Sequence, residues 1–288
     1  MSGVVFRSAE AAAAVERQYR RLLESWPVPS WQTTLPTCQG PTFVIACGPE
    51  DGPPVVLLHG SQANSASWMF DVALWAGMFR LYAVDMIGEA GLSAQVRPEL
   101  AGDAHARWLD DVFKGLGLSR AALVGTSLGG WLALDYAARR PAAVDALALI
   151  CPAGIGRTKN FLLRAAPLLL LGPWGRRRMR EMVFGPMPAE LPDATRPFAE
   201  LAELIGKTIR PRTRRIPLLS DEALHGLKMP ILAVMGGKDV LIDTREARAR
   251  LERLAAHAEI CFLEQGYHLL PGQAPRVMQF LERHLAPG

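Results

Sequence analysis

Short apolar runs separated by longer amphipathic stretches set the tightest limit on how this chain folds. Val55 to Leu58 is apolar throughout, as a strand covered on both faces should be. Leu81 to Val84, Ala121 to Val124 and Ala146 to Ile150 repeat that pattern, and Ile231 to Met235 and Glu259 to Leu263 resume it after a long interruption. Between the runs, the spacing predicts helices over Ala101–Leu116, Gly129–Arg139, Thr244–Ala256 and Pro275–His284. Such alternation implies an α/β fold with a mostly parallel, doubly wound sheet and helices on both faces. Ahead of it, residues 8–25 read as a helix stopped at Pro27 and Pro29. Trp31–Thr34 and Thr42–Cys47 then read as a hairpin that would supply an antiparallel edge.

The interruption, residues 153–219, carries amphipathic pieces at Phe161–Leu171 and Phe198–Ile205 and does not keep the strand rhythm. It reads as a helical lid inserted between core segments 1–152 and 220–288. In an open α/β sheet, ligands bind beyond the carboxyl ends of the strands, where a lid would cover them. Within residues 157–215, thirteen Lys and Arg stand against five Asp and Glu, a local +8 in a chain of net charge +4. No nucleic-acid-binding motif with interleaved aromatics accompanies this block, so a solvated outer face is expected and no nucleic-acid partner. With 288 residues, half of them hydrophobic and 21% charged, the chain can bury a large core, which excludes general disorder.

No apolar run approaches the roughly 20 residues that span a bilayer, so membrane insertion is not expected. The longest candidate, Ala165–Leu171, is interrupted by Pro167. The first residues lack the order of a signal peptide, which makes a cytoplasmic location the expectation. Cys38, Cys47, Cys151 and Cys261 are far apart and unpaired in spacing, and read as reduced, mostly buried thiols rather than a metal site.

Gly125-Thr126-Ser127-Leu128-Gly129 lies directly after one apolar run and directly before a helix. A nucleophile on so sharp a strand-to-helix turn needs small neighbours two positions away on each side, because the backbone folds back there. The turn would lift the Ser127 oxygen above the sheet and set helix N–H groups beside it. A serine hydroxyl needs a base, and the base needs an orienting acid. The order after such an elbow is acid, then histidine, each at a strand end. Asp239 and His268 stand there. Asp243 is a second candidate acid, though a cap for the helix at Thr244 is the better reading. For the oxyanion, the backbone N–H groups of Leu128 and Ser61 are expected donors, with His59 a structural residue of the same loop.

The loop Asp85–Ser93 is rich in glycine but lacks phosphate-binding spacing, and reads as a shaped turn. Trp68, Trp131 and Trp174 are candidate acyl-pocket residues, Trp131 the best placed.

These motifs resemble the α/β-hydrolase superfamily from about Trp26 onward. The resemblance rests on VVLLHGS (55–61), YAVDMIGEAGLS (82–93), LVGTSLGG (123–130), MPILAVMGGKD (229–239) and GYH (266–268). WPVP (26–29), FVIACGPEDGPPVVLLHG (43–60) and LLSDEALHGLKMP (218–230) further resemble lidded bacterial carboxylesterase-like hydrolases. The family implies Ser127 as nucleophile, Asp239 as acid, His268 as base, Ser61 and Leu128 as oxyanion donors, and no metal or organic cofactor. Two departures stand out: the loop after Asp85 is one residue longer than the commonest form, and Ser61-Gln62 replaces the commoner glycine after His-Gly. The expected activity is hydrolysis of small to medium carboxylic esters through an acyl-enzyme. A carbon–carbon bond hydrolase of the meta-cleavage type, with Arg157, Arg164 or Arg210 receiving a carboxylate, is the alternative within catalysis. A hydrolase-fold binding protein with slow turnover is the alternative outside it. A homodimer is a further possibility left open by the apolar stretch in the insertion.

Overall fold

β1 (Ser30–Leu35) and β2 (Thr42–Cys47) form an antiparallel hairpin, joined to β3 (Pro54–Leu58), β4 (Arg80–Val84), β5 (Ala121–Thr126), β6 (Val144–Ile150), β7 (Ile231–Gly236) and β8 (Glu259–Leu263). In this computed structural model, which describes residues 5–186, 192–212 and 214–285 apart from the side chains of 162–164 and 169, the sheet runs β1-β2-β4-β3-β5-β6-β7-β8. β2 meets β4 antiparallel, and every pairing from β4 to β8 is parallel. The hairpin therefore supplies the antiparallel edge, as its sequence implies.

The helices are α1 (Ala9–Leu23), α2 (Val72–Trp75), α3 (Ala104–Gly115), α4 (Leu128–Arg139), α5 (Phe161–Leu169), α6 (Gly172–Phe184), α7 (Arg196–Thr208), α8 (Asp221–Gly226), α9 (Thr244–Leu254) and α10 (Ala274–Leu285). Period-two alternation divides the sheet between two cores. Val56 and Leu58 of β3 face a layer from α3, α4, α8 and α9, while Val55 and Leu57 face α1, α2, α7 and α10. Both layers are apolar, which is why the central strands read as unbroken hydrophobic runs.

Some expectations shift. α3 begins at Ala104, three residues late, because Gly102 takes a left-handed φ of +97° that ends helical propagation there. α2, α6 and α8 carry no strong apolar period, and the sequence does not predict them as separate elements. Of the four cysteines, Cys47 and Cys151 are buried, Cys261 is half-buried and Cys38, in the β1–β2 connection, is exposed. Fewer thiols are buried than the sequence reading expects.

His105 on α3 is buried with its ring edge-on to Trp131, centroids 5.8 Å apart. Burial, with help from the Arg212 charge, pulls its pKa down to about 4. The folded state thus holds a neutral imidazole, whereas an unfolded one titrates near 6.5. This contribution is complete above pH ~6.5 and is lost as pH falls toward 4, amounting to about 3 kcal/mol. His105→Phe is expected to flatten the fall in thermal midpoint across that window. An unchanged pH profile in the variant would contradict it.

Candidate active site

Ser127 directly follows β5 and holds the N-cap position of α4 with φ +53° and ψ −110°, a conformation that costs a non-glycine residue about 1–3 kcal/mol and persists only when surroundings enforce it. They do. Its N–H donates to the Ile150 carbonyl at 3.0 Å, and its own carbonyl accepts from Trp131 and Ala153 at 3.0 and 3.1 Å. The two flanking glycines follow from the same bend. A methyl group on Gly125 would stand 2.5 Å from the Gly129 oxygen, and one on Gly129 would run into the Leu58 carbonyl. The backbone passes itself too closely for a side chain at either position.

His268 follows β8, and its Nε2 lies 3.0 Å from Ser127 Oγ. Its Nδ1 lies 2.7 Å from Asp239 Oδ2. Asp239, after β7, is buried, and its other oxygen accepts the N–H groups of Leu241 and Ile242 at 2.7 and 3.0 Å. Two fixed donors on Oδ1 leave Oδ2 to meet the imidazole, so the ring carries its proton on Nδ1 and presents the Nε2 lone pair to the serine. The three side chains named by order and strand-end position thus form one hydrogen-bonded chain. Asp243 does something else: its carboxylate accepts the Glu246 N–H at 3.1 Å and caps α9.

The loop after β3 closes the other side. A methyl group on Gly60 would sit 3.6 Å from Ser127 Cβ, an ordinary contact, so the loop lies directly against Ser127. Leu128, first residue of α4, has an N–H with no intrahelical acceptor. Buried His59 accepts the Met86 N–H on Nε2 at 2.9 Å and reaches the Gly60 carbonyl through Nδ1 at 2.8 Å, tying this loop to the one after β4. That second loop is organised around buried Asp85, whose oxygens accept from Tyr19, Ser65 and Leu92. Gly91 passes against the same carboxylate, leaving no room for a side chain.

Two further groups at the site carry little signal in the sequence. Glu89, fully buried in the loop after β4, accepts the Gln62 N–H at 2.7 Å and pairs with Arg212. Its one signal is a carboxylate set among small and apolar residues. Cys151, at φ +44° just past β6, offers a sulfur within 4.8 Å of ligand atoms on Asp239 and His268. Burial and the Asp239 carboxylate push its thiol up to about 12, so it keeps its proton, and its two neighbours are already engaged with each other. The set is a poor metal cradle.

Segment 153–219 touches the loops that carry Asp239, His268 and Glu89. Thr158 bridges Ile242 three residues past Asp239, and Lys159 Nζ donates to the Asp239 carbonyl at 2.7 Å. The Val183 carbonyl of α6 accepts the His268 N–H at 3.1 Å. Of the tryptophans, Trp68 is buried in the core and Trp174 is exposed. Trp131 lines a cleft of about 340 Å³ with Leu100, Pro217 and Leu219 that none of Ser127, Asp239 and His268 borders. Arg157 pairs with Glu246 at the surface, the Arg210 backbone joins Val5, and the Arg164 side chain lies outside those described.

Residues 55–278 match the model of the alpha/beta hydrolase family. The chain belongs to the α/β hydrolase family. This hydrolase is similar to carboxylesterase YbfK of Bacillus subtilis, 28% identical over 284 residues and covering 96% of each chain. The YbfK crystal structure superposes with a TM-score of 0.80 over 97% of this chain and 100% of that one. The naproxen esterase (carboxylesterase NP) of the same organism gives 0.79 at 27% identity, over 96% and 99%. A monoacylglycerol lipase of Bos taurus, ABHD6, is 34% identical over 254 residues, covering 79% of this chain and 73% of its own. No helix of the hydrolase, among the described residues, is long and apolar enough to cross a membrane.

Proposed function

We propose that this hydrolase is a serine carboxylesterase acting on small to medium carboxylic esters through an acyl-enzyme. The continuous Ser127–His268–Asp239 hydrogen-bond chain carries the reading. The carboxylesterase names of relatives that span nearly its full length support it. Ser127 Oγ attacks the ester carbon while its proton passes to His268 Nε2. Asp239 steadies the imidazolium, and the Leu128 and Ser61 N–H groups receive the oxyanion. The ring then protonates the departing alkoxide, and water repeats the sequence to release the acid. Segment 153–219 acts as the lid over this site.

The test is a p-nitrophenyl ester series from acetate to palmitate, run beside a vinylogous diketone of the meta-cleavage kind. The expected result is turnover of the esters, greatest for short and medium acyl groups, with none of the diketone. Cleavage of the diketone alone would replace this reading with carbon–carbon hydrolysis. Tight binding of these compounds without turnover would replace it with a binding function.

A further inference from the structure

We infer that Glu89 and Arg212 are a positioning pair, through which the insertion sets the direction of the Ser61 N–H toward the reacting carbonyl. This rests on the carboxylesterase reading above.

Ser61 and Gln62 are exposed, and Gln62 takes φ +58°, a conformation side chains disfavour. An exposed loop strained in this way needs an outside hold to keep one shape. Glu89 supplies it. Its Oε2 accepts the Gln62 N–H at 2.7 Å and lies 3.4 Å from the Ser61 hydroxyl. These contacts fix the Ser61–Gln62 peptide and the Ser61 side chain, while His59 holds the Gly60 carbonyl of the peptide that carries the Ser61 N–H, so the two holds together set its direction.

A carboxylate with no exposed surface is costly unless it is paired and hydrogen-bonded. Arg212 pairs with it, Nε to Oε1 at 2.6 Å, and its Nη2 reaches the Ile87 carbonyl at 3.4 Å. Glu89 and Arg212 are 123 positions apart, and Arg212 belongs to the strip by which the insertion returns to the core. That strip is itself held in place. Phe6 bridges Ile209, Arg210 N–H donates to the Val5 carbonyl, and Arg97 spans from the Gly88 carbonyl to the Arg210 carbonyl. The guanidinium is therefore presented from a fixed backbone, and the carboxylate passes that placement on to the loop beside Ser127.

Oxyanion donors act only when aimed at the tetrahedral oxygen, and losing one outright costs about 10²–10³ in kcat. Loosening the loop should cost less. Arg212→Met is expected to lower kcat on p-nitrophenyl butyrate about 10- to 100-fold with KM within about threefold. A trifluoromethyl ketone supplies the readout that folding alone would not move. Ser127 Oγ adds to its carbonyl carbon, the proton passes to His268, and the ketone oxygen becomes the bound oxyanion. Its Ki should weaken by the same factor as kcat/KM, while the matching alcohol, which forms no oxyanion, keeps its affinity. Arg212→Lys should recover part of the loss, and Glu89→Gln should fall between Met and Lys. Arg214→Met, which breaks the exposed pair with Glu99 on the same strip, should match wild type.

If Arg212→Met does not fold, Glu89→Gln and Arg212→Lys carry the same comparison. Wild-type kcat and ketone affinity in these variants would overturn the inference. So would a parallel fall of kcat, ketone affinity, alcohol affinity and thermal midpoint, the mark of a merely structural pair. A wild-type protein that neither hydrolyses the ester nor binds the ketone would instead remove the carboxylesterase reading, and this inference with it.

Discussion

Asp239→Asn is expected to lower kcat about 10³- to 10⁴-fold while leaving the fold intact. The reason lies in the two N–H groups that converge on Oδ1, from Leu241 and Ile242. An asparagine has one acceptor oxygen, and those fixed donors claim it. Its amide nitrogen then faces His268 Nδ1 as a donor, so the ring must accept there and carry its proton on Nε2. That proton points at Ser127 Oγ, 3.0 Å away, and the ring can no longer receive one. Asp243→Asn is the control, since its carboxylate only caps α9. Asparagine caps nearly as well, so both activity and stability should stay close to wild type. A large loss in Asp243→Asn with a small one in Asp239→Asn would exchange the roles of the two acids.

Ser127→Ala carries the largest expected effect, a fall in kcat of about 10⁴- to 10⁶-fold. Removing the Ser127 hydroxyl leaves the imidazole and the proposed oxyanion donors in place, and these alone should sustain a residual rate above that of water. Binding should change far less than turnover, because the oxygen removed is one atom of the site. Stability should hardly move: alanine meets the same φ of +53° as serine does, and the surrounding backbone bonds are unaffected. Wild-type enzyme mixed with excess p-nitrophenyl acetate should release up to one equivalent of nitrophenol in a burst if deacylation is slow, and the variant none. Retained turnover in Ser127→Ala would mean that another group attacks the ester.

Much of this was legible in the sequence because it depends on local chemistry. Covered strands must be apolar, so β3, β7 and the greater part of β5 and β6 show as apolar runs. The elbow declares itself through Gly125 and Gly129, which the tight bend requires. Strand ends then place Asp239 and His268 in order. What stayed hidden depends on contacts between distant segments. Nothing near Glu89 announces that its partner is Arg212, because only the fold brings these distant positions together. α6 was missed because Arg176 to Arg178 and Arg180 break its apolar spacing, though Arg177 and Arg178 both pair with Glu181 within the helix. Several other cations of that basic block are also paired, Arg157 with Glu246, Arg196 with Asp193 and Lys207 with Glu203. Those pairs suit the solvated face that the charge count implied. Trp131 looked poised for substrate by its place after the elbow, yet helical periodicity turns it into the core against His105.

In the proposed mechanism, His268 and Asp239 make Ser127 a nucleophile. A fluorophosphonate reacts covalently with such an activated serine, and peptide mass mapping finds the residue that bears the adduct. The expected result is one adduct per chain, on Ser127, formed rapidly by wild type and far more slowly by Asp239→Asn. An adduct on another residue, or equal labelling of the wild-type and Asp239→Asn proteins, would contradict it.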